Sequence, residues 1–213
     1  MITTKRIFDL GIAMLLAVLL LPVIAIVAVL ILIKDGRPVF YISERMKTPN
    51  QGFGLIKFRT MKPVATDSGV SGGDKAERIT RTGRFLRRTR LDELPQLWNV
   101  ILGEISFVGP RPPLRQYVEK FPDLYAQVLK SRPGITGLAS IKFHAHEEML
   151  LARAFNVNDT DAIYSRSCVP RKVRLDLIYQ KNRNLCFDAQ IMFMTVFKKR
   201  RQTGNTAKSR TTG

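Results

Sequence analysis

An uncharged apolar run from Leu10 to Ile33 constrains this chain more than any other feature of its sequence. A membrane-crossing helix needs about 20 consecutive apolar residues, so the run is long enough to enter the hydrocarbon of a bilayer. A signal peptide has a shorter apolar region and ends at small residues, whereas this run ends at Ile31, Leu32 and Ile33. We therefore expect a membrane anchor that the mature protein retains.

Basic residues flank the run on both sides, with Lys5 and Arg6 before it and Lys34 and Arg37 after it. Lys and Arg beside membrane segments favour the cytoplasmic side, so both ends are expected there. Pro22, near the middle, removes a backbone donor and can bend a helix sharply. A re-entrant hairpin that dips into one leaflet and a proline-kinked spanning helix both satisfy these residues.

The charge balance and the cysteines constrain function less strongly. Among 213 residues, 35 Lys and Arg stand against 17 Asp and Glu, which gives a net charge of +18. Such a chain attracts nucleic acid, anionic lipid or phosphorylated substrates, and charge alone does not choose among them.

The two cysteines, Cys168 and Cys186, form no CxxC pair, so we interpret them as free thiols in a reducing compartment. One compact domain beside the anchor fits this length.

Beyond the anchor, the sequence predicts short strands and helices separated by glycine and proline. Residues 38–42 and 54–59 are rich in β-branched and aromatic side chains on either side of a Pro/Asn/Gly turn, which predicts two strands that can pair as a hairpin. Residues 66–74 are rich in glycine and serine and predict a loop. Further on, the sequence predicts a strand, a rigid turn, a helix and a second rigid turn at residues 105–108, 109–112, 114–130 and 132–137.

The C-terminal region predicts an amphipathic helix followed by a tail. Phe187, Ile191, Met194 and Phe197 have the spacing of one apolar helix face, and a basic cluster follows them. That face can lie in an anionic membrane surface or pack against the domain core, and the residues favour neither. Residues 203–213 show no apolar periodicity, so we predict a disordered basic tail.

The segment around Asp92 and Glu93 carries the strongest chemical signal. Apolar residues at helical spacing predict a helix whose buried face is formed by Leu91, Leu94, Trp98, Ile101 and Leu102. Gly103 is a suitable stop, Asp92 is a suitable N-cap, and Pro95 falls within the first turn. Both carboxylates would then lie at the positive end of a helix, which favours their ionised forms and also binds phosphate.

Two adjacent carboxylates in that position can divide two tasks between them. One can act as a nucleophile while the other helps to hold a hard cation such as Mg²⁺. An arbitrary Asp-Glu pair, however, is more often an acidic helix start that neighbouring arginines neutralise, here Arg87, Arg88 and Arg90. Phosphoryl transfer also needs cations, and the candidates at strand ends, a helix approach and a rigid turn are Lys57, Arg59, Arg87 and Arg111.

Other chemical motifs are weak or missing from the sequence. His144 and His146 form an HxH beside Glu147 and Glu148, but no further ligands with zinc spacing follow, so we do not expect a zinc site. The sequence contains neither a P-loop phosphate-binding motif nor a GxGxxG dinucleotide fingerprint. A reaction driven by ATP or NAD is therefore not indicated.

Five motifs, in one order, resemble the bacterial sugar transferase family, whose small members are monotopic polyprenol-phosphate phosphoglycosyl transferases. They are KRIFD, KFRTM, LDELPQLWNV, SFVGPRP and RPGITG, at residues 5–9, 57–61, 91–100, 106–112 and 132–137. The likeness runs from about residue 3 to about residue 200. Several long motifs in sequence order are far more specific than an isolated carboxylate pair.

The resemblance implies an α+β fold in which a re-entrant membrane helix, broken near Pro22, occupies residues 1–36. A mainly helical catalytic domain with a small β-hairpin and interfacial amphipathic helices would follow over residues 37–202, with the tail at 203–213. Larger relatives carry extra transmembrane helices upstream, so this chain resembles the minimal catalytic form. After residue 137 the chain departs from the family's polar Asn-Gly-Arg segment, so sugar and acceptor contacts in that region are not carried over.

The resemblance also implies a two-step reaction. Asp92 would attack the sugar-proximal phosphorus of a UDP-sugar, giving a phosphosugar-aspartyl enzyme and UMP, and undecaprenyl or another polyprenol phosphate would then take the phosphosugar. Asp92 and Glu93 would bind Mg²⁺. The phosphates or the nucleotide would be contacted by Lys57, Arg59, Arg87 and Arg111.

The implied partners are therefore a UDP-sugar, polyprenol phosphate and membrane lipid, with no nucleic acid and with a homodimer left open. The catalytic domain would face the cytoplasm at the bacterial inner membrane and begin the assembly of exopolysaccharide, capsule, O-antigen or another glycoconjugate. The alternative, from a different class, is a single-pass membrane protein whose basic cytoplasmic domain binds nucleic acid or anionic lipid. It explains the net charge and the apolar run but not the carboxylate pair on a capped helix.

Overall fold

The computed structural model describes residues 2–64 and 73–195, and describes side chains from residue 4 and, after the gap, from residue 75. The helices are α1 (Ile2–Lys34), α2 (Arg81–Thr89), α3 (Gln96–Leu102), α4 (Arg115–Lys120), α5 (Pro122–Val128), α6 (Leu138–Leu151), α7 (Val157–Ile163), α8 (Val169–Asn182) and α9 (Leu185–Thr195). The strands are β1 (Phe40–Thr48), β2 (Gln51–Phe58), β3 (Ser106–Val108) and β4 (Gly134–Thr136). This architecture confirms the expected mainly helical fold with a small hairpin and a long N-terminal apolar helix, while the re-entrant path and the interfacial helices stay predictions.

The anchor segment forms one helix, α1, which continues through Pro22. An uninterrupted apolar sequence favours a helix because hydrocarbon offers backbone groups no other hydrogen-bond partner. By length and composition, residues Thr4–Lys34 are able to cross a membrane, and only 11% of their most apolar stretch is buried inside the protein. Most of the apolar surface of α1 is therefore not covered by the rest of the described protein.

Both ends of α1 are bound to the same folded domain. Near its start, Arg6 donates to two carbonyls of α3 at 2.5 and 2.6 Å. Just beyond its end, the carbonyls of Asp35 and Gly36 each accept from Arg59 at 2.7 Å. Between these points, apolar residues of α1 pack into two clusters of the domain core. The anchor is therefore attached to the domain along its length rather than at one end only.

β1 and β2 form the expected antiparallel hairpin. Their pairing places Tyr41 opposite Lys57 and Arg45 opposite Phe53, and opposite residues share one face of a sheet. Phe53 and Leu55 on this face are buried in the core, so the face points into the domain. The first strand is longer than predicted because cross-strand pairing continues through a charged segment that has no apolar pattern.

A second, short sheet holds the middle of the chain together. Val108 of β3 pairs with Thr136 of β4 in parallel. A Cβ atom at Gly134 would lie 2.2 Å from the backbone nitrogen of Gly109, so glycine is needed where these backbones meet. Residues 132–137, predicted as a rigid turn only, therefore contain a strand. Three residues are too few to show a strand period in the sequence.

The apolar face predicted for α3 is wrong, although its predicted end is confirmed. Gly103 ends the helix with a positive φ of 77°. Leu97 and Val100 are buried, whereas Trp98 and Leu102 are each 56% exposed. Apolar residues lie on several sides of this short helix, and its contact with α1 and the core decides which of them are covered.

The predicted helix over residues 114–130 is two helices, α4 and α5, because Pro122 begins a new helix.

The last described helix, α9, packs its apolar face against the core. Ile191 is fully buried and Phe187 and Met194 pack beside it, while Phe193 is exposed. Both cysteines are free, as expected.

Some predictions fall outside the described residues. These are most of the loop over residues 66–74, Phe197 with the basic cluster after it, and the tail over residues 203–213.

Candidate active site

Asp92 and Glu93 lie in a short 3-10 turn, Leu91–Glu93, between α2 and α3. The turn starts at Arg90, a non-glycine residue in the left-handed region with φ of 61°. This conformation ends α2 and redirects the chain, and α3 begins only at Gln96. The prediction that Asp92 caps α3 is therefore wrong. The turn instead carries both carboxylates inward, where they are only 8% and 7% exposed.

Glu93 is enclosed by three cations. Its Oε1 accepts from Lys57 Nζ at 3.3 Å and from Arg111 Nη2 at 3.2 Å, and its Oε2 lies 3.1 Å from Arg90 Nη2. Burial by itself would raise the pKa of Glu93, but the attraction of Arg111, Lys57 and Arg90 outweighs burial and lowers the pKa to about 2. Glu93 is therefore ionised at neutral pH.

Asp92 has a different environment. Burial, followed by the negative charge of Glu93, raises the pKa of Asp92, and Lys57, Arg90 and Arg87 oppose this only in part. Its Oδ1 is buried and has no hydrogen-bond partner within the described residues. A buried oxygen without a partner is costly. Asp9 and Asp176 also have such oxygens, and the oxygen of Asp92 differs from them because Lys57, Arg90 and Arg87 act on its carboxylate. Of the two carboxylates, Asp92 has the free oxygen.

Lys57 reaches the carboxylate pair from the hairpin. Burial and the charge of Arg111 lower the pKa of Lys57 to about 8, against the attraction of Glu93 and Asp92. The lysine is charged at neutral pH but titrates just above it. The sequence predicted that Lys57 lies at the end of a strand, and in the structure it lies at the end of β2.

Asn99 of α3 fixes the hairpin in place. It is fully buried, and its Oδ1 accepts from the backbone N–H of Ile56 at 3.0 Å. Its Nδ2 donates to the carbonyl of Gly54 at 2.8 Å and to Glu104 Oε2 at 2.6 Å. This side chain ties β2 to α3 and so sets the position of Lys57. The sequence analysis missed it, although a polar residue within an apolar helix pattern was the available signal.

Arg111 approaches Glu93 from the turn after β3. The close packing of Gly109 against β4 holds this turn at the edge of the short sheet. Burial would lower the pKa of Arg111, but the attraction of Glu93 and the hydrogen bond to it outweigh burial and raise the pKa. Arg111 is therefore a permanent positive charge in the site.

The other two predicted cations have different surroundings. Arg87 donates through Nε to Thr60 Oγ1 at 2.9 Å, and its charge acts on Asp92. Arg59 donates through Nε to the carbonyl of Pro38 at 2.6 Å and through Nη2 to two further carbonyls after α1. The contacts of Arg59 fasten the chain that leaves the anchor, and its contact with substrate stays a prediction.

Arg90 joins the site although the sequence analysis named it only as a neutralising neighbour. Its i, i+3 spacing to Glu93 was the available signal. Four cations then surround two carboxylates: Lys57, Arg87, Arg90 and Arg111. The excess of positive charge suits an anionic ligand such as a diphosphate.

The carboxylate pair is also the part of the site that fits a metal. Among the residues whose side chains the structure describes, no group of three or more His, Cys, Asp or Glu side chains could hold a metal ion. His144 and His146 lie on α6, where residues two apart point to different sides, and His144 is 3.5 Å from Glu148. The unpartnered Oδ1 of Asp92 beside Glu93 fits a hard cation that takes its other ligands from water and substrate phosphates.

The fold and the site define a class of protein: a long apolar helix is bound at both ends to a small helical domain, which holds a buried carboxylate pair among cations that suit phosphate chemistry. The family model described as bacterial sugar transferase matches residues 1–202. The chain belongs to this family.

Three relatives show how the chain compares with named members. It is 32% identical over 198 residues to the UDP-glucose:undecaprenyl-phosphate glucose-1-phosphate transferase of Klebsiella pneumoniae, covering 91% of this chain and 39% of the relative. It is 32% identical over 198 residues to the UDP-N-acetylgalactosamine-undecaprenyl-phosphate N-acetylgalactosaminephosphotransferase of Aeromonas hydrophila, covering 90% of this chain and 42% of the relative. It is 32% identical over 209 residues to the exopolysaccharide production protein ExoY of Sinorhizobium fredii, covering 91% and 84%. The chain thus spans about two fifths of the first two relatives and most of the third.

Proposed function

We propose that this chain transfers a sugar 1-phosphate from a UDP-sugar to undecaprenyl phosphate, with Asp92 as the nucleophile and UMP as the leaving group. The supporting observation is the buried, unpartnered Oδ1 of Asp92 beside a glutamate that three cations surround. Two relatives are named as transferases of UDP-sugars and undecaprenyl phosphate, and a third as an exopolysaccharide production protein. Because the two transferases differ in sugar, the proposal covers the reaction class and not one sugar.

In the first step, a carboxylate oxygen of Asp92 attacks the phosphorus that carries the sugar. A bond forms between this oxygen and the phosphorus, and the bond from the phosphorus to the bridging oxygen of the diphosphate breaks. UMP leaves with the bonding electron pair. Lys57 and Arg111, which contact Glu93 next to Asp92, would offset the negative charge that moves onto the leaving phosphate.

In the second step, a phosphate oxygen of undecaprenyl phosphate attacks the same phosphorus. The bond between Asp92 and the phosphorus breaks, which restores the carboxylate and releases the lipid-linked phosphosugar. Neither step requires a net proton transfer. The two substrates use the same cationic site in turn, because the acceptor phosphate enters after UMP has left.

Glu93 has a supporting role in both steps. Its carboxylate holds Lys57, Arg90 and Arg111 around the reacting atoms, and its low pKa keeps it ionised while they do so. Asp92 and Glu93 are also the residues that would hold a Mg²⁺ ion, which when bound supplies Lewis-acid neutralisation of phosphate charge.

The anchor, in this proposal, enters and leaves the bilayer at the cytoplasmic face of the inner membrane. A straight helix of 33 residues would be about 50 Å long, and a spanning helix has its ends on opposite sides of the bilayer. The bonds of Arg6 and Arg59, which tie both ends of α1 to one domain, support a re-entrant arrangement with a bend at Pro22. The site would then lie at the lipid boundary, where a polyprenol phosphate presents its headgroup.

Release of UMP tests the proposal directly. The full-length chain, purified in a membrane mimetic, would be incubated with Mg²⁺, undecaprenyl phosphate and a panel of UDP-sugars. We expect UMP and a lipid-linked phosphosugar with at least one sugar of the panel. If no sugar yields UMP and the protein instead binds DNA tightly and in a salt-dependent manner, the basic membrane-tethered binding protein is the better description.

A further inference from the structure

Arg45 is a positively charged residue of β1 that the proposed reaction has not used. The pairing of β1 with β2 puts it on the same face of the hairpin as Lys57. The backbone N–H of Met46 donates to the carbonyl of Pro113 at 2.9 Å, which holds this part of β1 against the turn that carries Arg111. Arg45 thus lies near the turn that carries Arg111, on the face of the hairpin that also carries Lys57 four positions further along β2 from its own partner, Phe53.

The guanidinium of Arg45 has poor hydrogen-bond partners. Its Nε donates to Ser43 Oγ at 3.2 Å, and its Nη1 donates to the carbonyl of Pro112 at 3.5 Å, the outer limit for such a bond. A guanidinium has five N–H donors, so most of them are left for another acceptor. Within the described ranges, no carboxylate oxygen lies within 4.0 Å of Arg45.

Nearby charges do not compensate Arg45 either. Burial, followed by the positive charge of Arg111, lowers the pKa of Arg45 to about 10, against smaller opposing contributions from Tyr164, Tyr41 and Tyr117. Arg45 is therefore still charged at neutral pH. The fold keeps this charge partly buried beside a second arginine, which is unfavourable unless an anion is present for part of the working cycle.

Arg115 provides the contrast on the same side of the domain. It is exposed, and its Nη2 lies 2.6 Å from Glu44 Oε1 on β1. The arginine that solvent already stabilises therefore has a carboxylate partner, whereas the more buried Arg45 has none among the described residues. Both arginines lie on or beside β1, so their position relative to this strand does not explain why only Arg115 has a carboxylate partner.

We propose that Arg45 binds a phosphate group of the substrate, acting with Lys57 and Arg111 as a further cation of the anion site beside Asp92. The assignment rests on the proposed function, which supplies the phosphates. The planar pair of N–H groups on a guanidinium matches two oxygens of one phosphate. The diphosphate of the donor and the phosphate of the acceptor lipid share this chemistry, so the experiment must separate them.

The test compares Arg45→Gln and Arg45→Lys with Arg115→Gln as the matched control, all in the full-length chain in one membrane mimetic. The donor arm measures UMP binding by calorimetry and UMP release in a single turnover without acceptor, over a range of UDP-sugar concentrations. The acceptor arm measures transfer at saturating donor over a range of undecaprenyl phosphate concentrations. The arm that changes identifies the phosphate that Arg45 binds.

We expect Arg45→Gln to raise the apparent KM for one of the two substrates by roughly 10- to 100-fold, the usual loss for a hydrogen bond to a charged group. Arg45→Lys should lose less, because it keeps the charge but not the planar fork. Arg115→Gln should leave both KM values unchanged. If both Arg45 variants keep both KM values within twofold of the wild type, the assignment is wrong.

Thermal stability separates ligand binding from a structural role. Removing a charge without a counterion should leave the melting temperature of Arg45→Gln equal to that of the wild type or above it. A melting temperature well below the wild type, or failure of Arg45→Gln to fold, would contradict the assignment and indicate a structural arginine. A wild-type chain that releases no UMP would overturn the proposed function, whereas an active wild type with unchanged Arg45 variants would overturn only this inference.

Discussion

Two half-buried lysines of this protein, Lys57 and Lys172, both face a glutamate, yet their pKa values shift in opposite directions. Lys57 lies in the candidate active site, and its pKa is lowered to about 8. Lys172 lies between α6 and α8 and donates to Glu147 Oε1 at 2.9 Å and to the Tyr164 hydroxyl at 3.1 Å. Burial acts to lower the pKa of Lys172, but Tyr164 and Glu147 outweigh burial and raise it.

The difference comes from the neighbours and not from burial, which both lysines share. Among the described residues, Glu147 forms a close ion pair with Lys172 alone, whereas Lys57 shares Glu93 with Arg90 and Arg111. A cluster whose charges match needs no ligand and joins two helices. A cluster with excess cations has charge left for an anion, which is the role proposed for the candidate active site.

The largest expected effect is the loss of chemistry at Asp92. Asp92→Asn should abolish both UMP release and a covalent phosphosugar adduct, a loss on the order of 10³-fold or more, because an amide is a poor nucleophile. Its melting temperature should not fall, because the change also removes repulsion from Glu93. Asp176→Asn, at a buried carboxyl of the Lys172 cluster, is the matched control and should keep UMP release. An adduct that persists in Asp92→Asn would refute the role of Asp92.

A substitution in the Lys172–Glu147 cluster should lower the stability of the protein and leave its activity unchanged. Lys172→Met leaves the half-buried Glu147 without its cation, which should lower the free energy of unfolding by roughly 2 kcal/mol, between the values typical of exposed and of fully buried pairs. Urea denaturation of the purified protein measures this change. The fraction that remains folded should still release UMP. A denaturation midpoint equal to the wild type would show that the cluster does not hold α6 and α8 together.

Lys57→Ala should have the reverse profile, with a clear loss of turnover and a small loss of stability. Turnover should fall roughly 10- to 100-fold, less than for Asp92→Asn, since the other cations continue to offset phosphate charge. The stability loss is limited because Glu93 keeps Arg90 and Arg111. Initial rates at saturating substrate provide the measurement, and unchanged turnover would remove Lys57 from the site.

The pKa of Lys57 makes the reaction sensitive to alkaline pH. The rate should fall as pH rises through about 8, because Lys57 then loses its proton. Stability should not fall with it: the ordinary pKa is 10.5, so between pH 8 and 10.5 the unfolded chain binds more protons at this residue and its contribution to stability rises with pH. Lys57→Arg should move the alkaline limb to higher pH. A limb at the same pH in both proteins would assign it to another group.

Asp176 should give the smallest effect. Burial raises its pKa to about 7, partly opposed by Lys172. The folded pKa lies above the ordinary 3.8, so the stabilising contribution of Asp176 is present below about pH 4 and is lost as pH rises through about 7. Asp176→Asn should therefore raise the melting temperature by roughly 2–6 °C at pH 8 and much less near pH 4. Equal shifts at both pH values would exclude titration of Asp176 as the cause.

Sequence-based prediction worked where one local pattern decides the outcome. The apolar run predicts α1, the β-branched segments predict the hairpin, and Gly103 marks the end of α3. The motif order led to the family that the comparison with known proteins confirmed. Three of the four cations chosen from the sequence, Lys57, Arg87 and Arg111, lie around the carboxylate pair.

Prediction failed where contacts between distant segments decide the conformation. The left-handed backbone of Arg90 moves the start of α3 away from Asp92, which no cap pattern indicates. Packing against α1 and the core exposes Trp98 and buries its neighbours, which helical spacing alone cannot foresee. The strand after residue 132 exists only because two glycine-containing backbones approach each other.

The sequence by itself determined that this chain carries a long apolar segment, an excess of positive charge and two neighbouring acids within a family motif, since each of these depends only on which residues the chain contains and on their order. Only the tertiary structure decided that the two acids differ. Glu93 receives Lys57 from 36 positions before it and Arg111 from 18 positions after it, while Asp92 Oδ1 receives no partner among the described residues. Electrostatic energy depends on separation in space and on burial, so two adjacent carboxylates acquire different chemistry only when distant elements pack around them.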